Sequence, residues 1–233
     1  RYIFPADQVS LMNLTQSVAV FSLLGPGSAD TLKQLGIELG PDLPYGHNQI
    51  VDFRNVSLHL GVGSDLGLAG YTLLVPTEAA AQVWQSLTDA EAVPLGEKLW
   101  QQLRVQQGRP APEYELTDDY NPLEAGLWQA ISFDKGCYIG QETIARLNTY
   151  QGVKQQLWGI QLNGTARAGE TIWVGDEKVG LLTSVVESAN GSLGLGYIRT
   201  KAGGAGLEVT AGDAKGLVVE VPFLTRGYLT ASD

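Results

Sequence analysis

From residue 157 to residue 223 the sequence is cut into six short segments, at 157–162, 171–174, 178–186, 192–198, 206–210 and 216–223. Between them stand turn formers: Asn163-Gly164, Gly175-Asp176-Glu177, Asn190-Gly191 and Ala211-Gly212-Asp213. Alternation with a period of two sends successive side chains to opposite faces of a strand, and Asn-Gly or Gly-Asp pairs reverse the chain with little strain. This end of the chain is therefore expected to be an all-β barrel or sandwich of about 75 residues, beginning near Tyr150–Lys154.

The pattern before that point is mixed. Ser17–Leu24 is an apolar strand stopped by Gly25-Pro26-Gly27; Ser28 then reads as a helix N-cap, with Gly36 as the C-terminal stop. Gln49–Phe53 and Val56–Val62 form a hairpin across Arg54-Asn55, followed by a strand at Tyr71–Val75. Pro76-Thr77-Glu78 opens a helix with Thr77 as cap and Ala80, Val83, Trp84 and Leu87 as its inward stripe. A second helix runs from Gly96 to Gln107 with Leu99, Trp100 and Leu103 inward, and an irregular acidic run spans Glu113–Asp119. Strands and helices in this order predict an α+β layer with helices on one face of a sheet. The expected domains are thus 1–152, α+β, and 153–233, barrel.

Charge narrows the function. The chain of 233 residues carries a net charge of −10, and residues 1–152 hold 17 acidic and 8 basic residues against 8 and 7 in the remainder. A surface this acidic repels phosphate backbones, so broad nucleic-acid binding is not expected, while a small anion in a local pocket is compatible with it. No apolar run approaches the roughly 20 residues needed to cross a bilayer. The start, Arg1-Tyr2-Ile3-Phe4-Pro5, has no initiator methionine or signal-peptide pattern, and the chain is expected to be the later part of something longer. A single cysteine excludes an internal disulfide and fits a reducing compartment.

That cysteine lies in Asp134-Lys135-Gly136-Cys137-Tyr138-Ile139-Gly140-Gln141-Glu142. Gly136 and Gly140 allow tight turns on both sides of the sulfur, and a helix is expected to begin near Gly140. A helix N-terminus and Lys135 both favour a thiolate, the form that attacks, ligates or exchanges. Cys137 could otherwise be a small buried hydrophobe. One thiol cannot hold an iron–sulfur cluster alone, so cluster ligation would need a partner or a second copy. Arg104, Arg109, Lys135 and Arg146 are half of the basic residues of 1–152 and flank this motif, either as solvated charges or as a grip for carboxylates. Trp84, Trp100 and Trp158 read as core, and Trp128, just upstream of the motif, is the candidate for stacking on a flat ring. His47 and His59 are too isolated to suggest a metal site.

Lys135–Glu142 resembles the signature of the YgfZ family, folate-binding proteins related to the glycine-cleavage T-protein, GcvT. Leu24–Ser28 resembles that family's Gly-Pro turn, and Arg104, Gly108 and Pro110 its Arg-x-x-x-Gly-x-Pro segment. Asn121–Leu127 is similar to the stretch ahead of the signature in both families, and Gly180–Ser184 and Leu193–Arg199 resemble pieces of their barrel. The resemblance implies ferredoxin-like α+β domains closed by a C-terminal β-barrel, with the N-terminal part of that fold lying before Arg1. It implies a tetrahydrofolate-binding protein that supports assembly or repair of iron–sulfur enzymes, some of which modify tRNA, with iron–sulfur client or assembly proteins as partners and no membrane. By the resemblance Cys137 and Lys135 are the reactive pair. Arg104, Trp128, Arg146, Gly136, Gly140, Gln141 and Glu142 are the candidate folate contacts.

Two features depart from the T-protein pattern. The aspartate that assists methylene transfer would lie before Arg1, and the glutamate that pairs with the pterin aligns with Thr72. A hydroxyl cannot accept two parallel N–H bonds as a carboxylate does, which argues against aminomethyl transfer. A one-carbon transferase and a non-catalytic adaptor docking through the cysteine motif remain the alternatives.

Overall fold

The protein is described by a computed structural model covering residues 8–40, 42–188 and 191–227. It divides into two compact units, Arg1–Pro94 and Leu95–Asp233.

The first unit is a two-layer α+β domain. β1 (Val18–Leu24), β2 (Asn48–Phe53), β3 (Val56–Val62) and β4 (Gly70–Pro76) form an antiparallel sheet in the order β1-β4-β3-β2. Arg54 and Asn55 both take positive φ, 49° and 66°, the geometry that a two-residue hairpin turn demands. α1 (Ser28–Gln34) and α2 (Ala80–Asp89) bring Leu32, Val83 and Leu87 onto Phe53, Leu58, Leu60, Leu73 and Val75 of one sheet face.

Local capping differs from expectation. Ser28 is already the first residue of α1, and its hydroxyl donates back to the Gly25 carbonyl at 2.7 Å. Thr77 belongs to a short 3-10 turn, Thr77–Ala79, and its hydroxyl donates to the Gln16 carbonyl, so it ties the turn to the strand entry instead of capping α2. Trp84 does not join the inward stripe of α2. It is 45% exposed and tilts against Phe21 at 5.7 Å, because Ser86 takes a buried place, bonded by the Arg54 guanidinium.

In the second unit β5 (Gln155–Asn163), β6 (Thr171–Val174), β7 (Glu177–Ser188), β8 (Gly191–Arg199), β9 (Glu208–Ala211) and β10 (Ala214–Val219) close into a barrel, in the order β10-β5-β8-β7-β6-β9. Closure leaves no edge strand unpaired. Asn190 of the expected Asn-Gly turn lies outside the described residues. Ile160, Leu162, Ile172, Leu182, Ile198 and Val218 fill the interior. Gly180 in β7 is required by space: a Cβ there would lie 2.1 Å from the Tyr197 carbonyl oxygen.

The expected change of pattern near residue 153 marks the start of the barrel strands, whereas the compact units divide at Pro94, because α3 (Glu97–Gln107) and the loops after it pack on the barrel's outer wall. Val105, Ala125, Leu157, Leu195, Tyr197, Val221 and Leu224 make this second core. The inward side of α3 centres on Arg104 and Val105, while Leu99 is 46% exposed. Gly108 ends α3 at φ 78°, and a Cβ on it would meet Val221 at 2.2 Å. Backbone conformation and packing therefore both demand glycine at this position.

Candidate functional site

Cys137 is exposed, in the loop that leads from the short turn Trp128–Ala130 into α4 (Gln141–Thr149). Gly140 takes φ 95° immediately before the helix, a conformation that other residues rarely adopt. The Gln141 side-chain oxygen reaches back to accept from the Tyr138 amide at 3.1 Å, which fixes the residue next to the thiol. Open space surrounds both glycines of the motif: a Cβ built on Gly136 or on Gly140 meets nothing within 4 Å. Lys135 is exposed and its ammonium lies over the Tyr138 ring, 4.9 Å from its centre. Glu142 is exposed in the first helical turn, where a carboxylate is favoured.

The foundation of this loop is apolar. Trp128 is 9% exposed and packs with Leu123, Ile144 of α4 and Val153, with Ile131, Phe133 and Leu147 around them. Its ring is buried in the support under α4, and the expectation that it stacks on a ligand ring is corrected on that ground. Ile144 and Leu147 are one helical step apart, which turns that side of α4 inward and leaves Arg146 exposed in the last turn. At 1.5 Å per residue, Arg146 stands about 8 Å along the axis from the helix start that follows Cys137. Lys135, Gly136, Cys137, Gly140, Gln141 and Glu142 share one loop and helix start, and Arg146 lies at the opposite end of the helix.

Arg104 has a different task from the one expected. It is 3% exposed and paired with the fully buried Glu115 at 2.9 Å. Its guanidinium also donates to the Gln101 side chain, the Arg109 carbonyl and the Ser184 hydroxyl. A β-bulge in β7 sets Thr183 and Ser184 side by side against β8, and both hydroxyls donate to the same Glu115 oxygen, at 2.7 and 2.6 Å. The other oxygen accepts from the Ala111 amide. With its donors committed to this network, Arg104 anchors α3 to the barrel and is not a grip for a ligand's carboxylates. Sequence reading misses Glu115, which stands in a run that looks like solvated acid. The only signal is a lone arginine on a helix followed by a Pro-bounded acidic loop, and that signal does not single out Glu115 from Glu113, Asp118 and Asp119.

Tyr197 completes the network. Its hydroxyl donates to the Glu115 carbonyl at 2.8 Å and its ring stacks on Tyr120 at 3.5 Å. Burial, then the neighbouring Tyr120, Glu115 and Glu124, push its ionisation far above the ordinary 10.0. Burial and then Asp119 and Glu124 raise Tyr120 as well. In the unfolded chain Tyr197 ionises near 10, so its contribution is fully present below that pH and is lost as pH rises toward the folded value. Stability is expected to fall by about 1.4 kcal/mol per pH unit above pH 10 from this group alone. Tyr197→Phe should flatten that slope in urea titrations at pH 9–11, at a cost of about 1–3 kcal/mol at neutral pH for the orphaned carbonyl.

A family model described as the GCVT N-terminal domain matches residues 2–135, more than half of the chain. The chain belongs to that family. Its curated relatives include a chloroplastic Arabidopsis thaliana protein provisionally named a transferase, 45% identical over 98% of this chain and 54% of that protein. An aminomethyltransferase of Mycobacterium avium is 34% identical over 76% of this chain and 49% of its own. Among solved structures, the glycine cleavage system aminomethyltransferase T of Bartonella henselae superposes with a TM-score of 0.75 at 21% identity, covering 91% of this chain and 61% of that one. The fold is the GcvT-like one, α+β with a closed barrel. The chain spans about half the length of the curated relatives it matches. No helix among the described residues is long and apolar enough to cross a membrane.

Proposed function

We propose that this chain belongs to a YgfZ-type tetrahydrofolate-binding protein that supports assembly or repair of iron–sulfur clusters, with enzymes that modify tRNA among its clients. Cys137 is its reactive group and Lys135 the cation beside it. The observation that carries the reading is the presentation of the thiol: Cys137 is exposed, its loop is open at Gly136 and Gly140, and the residue after it is fixed by Gln141. A structural cysteine would be buried and inert, whereas this one can reach a partner's sulfur or metal. The compartment that goes with this reading is the bacterial cytoplasm or an organelle, and the chloroplastic relative accords with the second.

The residues fit folate in part. Lys135 and Arg146 are exposed and would hold its anionic tail, and Arg104 would not. At the position of the pterin carboxylate, Thr72 donates its hydroxyl to the Gly63 carbonyl at 3.0 Å, so no carboxylate is offered there. Bound tetrahydrofolate would supply a carrier for a one-carbon unit. Here the protein's own residues hold the tail, keep the thiol open to solvent and turn Lys135 along the same loop.

A second reading, aminomethyl transfer, is favoured by the names of the relatives and opposed by Thr72. Tetrahydrofolate titrated onto the full-length protein is expected to bind saturably, and Lys135→Gln with Arg146→Gln should weaken it at least tenfold. Absence of saturable binding would remove the folate claim and leave a partner-docking adaptor. Release of ammonia from an aminomethylated carrier protein in the presence of tetrahydrofolate would establish the transferase.

A further inference from the structure

The acidic balance of this chain makes one cleft of the second unit unusual. A cavity of about 860 Å3 opens where β5 begins and β8 ends, and it is lined by Lys154, Arg199 and Lys201 together with Glu124, Gln155 and Thr200. Three of the seven lysines and arginines of residues 153–233 therefore converge on one concavity. All three are exposed, and none of them forms an ion pair among the described residues. They line a cleft whose single carboxylate, Glu124, is mostly buried and accepts from the Asn121 amide.

The backbone beneath them is fixed. Gln155 and Arg199 are the terminal partners of the β5–β8 ladder. One residue further, the Thr200 amide donates to the Lys154 carbonyl at 2.8 Å, and the Thr200 hydroxyl donates to the Val153 carbonyl at 2.8 Å. The short turn Thr200–Ala202 then holds Lys201 on the same rim. The three charges thus stand on a rigid frame, and no aromatic side chain lines the cleft to stack on a ring.

We infer that this cleft binds the multiply charged end of a small anion, a di- or triphosphate or an oligocarboxylate, with Arg199 as the planar fork and Lys154 and Lys201 as flanking point charges. The site is built from other residues than those given to the folate tail, and it stands or falls independently of the folate reading.

Isothermal titration of the full-length protein with inorganic pyrophosphate and, separately, with citrate tests it. The expected result is saturable binding of at least one, weakening as sodium chloride is raised, and at least tenfold weaker in the Arg199→Gln, Lys201→Gln double variant. Lys154→Gln alone should weaken it severalfold, and Lys178→Gln, on β7 and outside the cleft, should leave it unchanged. All these side chains are exposed, so thermal melting should match the parent and certify the variants as folded. Preference for pyrophosphate would assign a phosphate-bearing ligand, and preference for citrate a polycarboxylate. No saturable binding of either anion, or equal affinity in the parent and the double variant, would overturn the inference.

Discussion

Arg104→Met is expected to cost the protein about 3–5 kcal/mol in urea unfolding, the largest effect of any single side chain at the α3–barrel contact. The reason is the partner left behind. Glu115 is fully buried, and without the guanidinium its charge would be held only by hydroxyls and one backbone amide. Glu115→Leu is expected to be comparably damaging, since it strands the Arg104 charge together with the Thr183 and Ser184 hydroxyls. Removing both charges at once should cost clearly less than the sum of the single changes, because each single variant contains an uncompensated buried ion and the double does not. A loss below about 1 kcal/mol in Arg104→Met would show that the pair is hydrated, and would reopen Arg104 as a ligand group.

Cys137→Ala is expected to behave in the opposite way, with melting unchanged and the protein's support of iron–sulfur enzymes lost. The side chain is exposed, so truncating it to a methyl group removes no core contact, and surface changes of this kind stay within about 0.5 kcal/mol. What disappears is the sulfur. Cys137→Ser keeps shape and polarity while removing the soft nucleophile, and it should fail as the alanine variant does if thiolate chemistry is the function. Alkylation of the parent by iodoacetamide under native conditions should proceed without unfolding and inactivate it.

The barrel is legible in the sequence because a period of two, broken by Asn-Gly and Gly-Asp pairs, has few physical solutions. All six expected strands are present, though the last runs Ala214–Val219 where the pattern predicts 216–223. Its final residues leave the ladder so that Val221 and Leu224 can cover Gly108 and Gly126, a tertiary demand invisible in the local pattern. The hairpin at Arg54-Asn55 is equally plain from its flanking apolar runs.

Helix faces are harder to read. Hydrophobic periodicity places Leu99 inward on α3, but an ion pair sets the helix's rotation: Arg104 has to face Glu115, eleven positions on, and Ser184, eighty positions on. Trp84 likewise yields its expected place to Ser86, whose hydroxyl meets Arg54 across the unit.

At the candidate site, exposure of Cys137 and the helix start after Gly140 follow from two glycines and the chain's single cysteine. The roles expected of Arg104 and Trp128 do not. Charge and aromaticity in a sequence neighbourhood do not say whether a side chain points to solvent or into the core, and here both point inward.

The most direct measurement is restoration of iron–sulfur enzyme activity in cells lacking this protein, comparing the full-length parent with Cys137→Ala at matched abundance. The account predicts recovery with the parent and none above background with the variant. Equal recovery by the two would contradict it, and would mean that the exposed loop ahead of α4 serves through its shape and not its thiol.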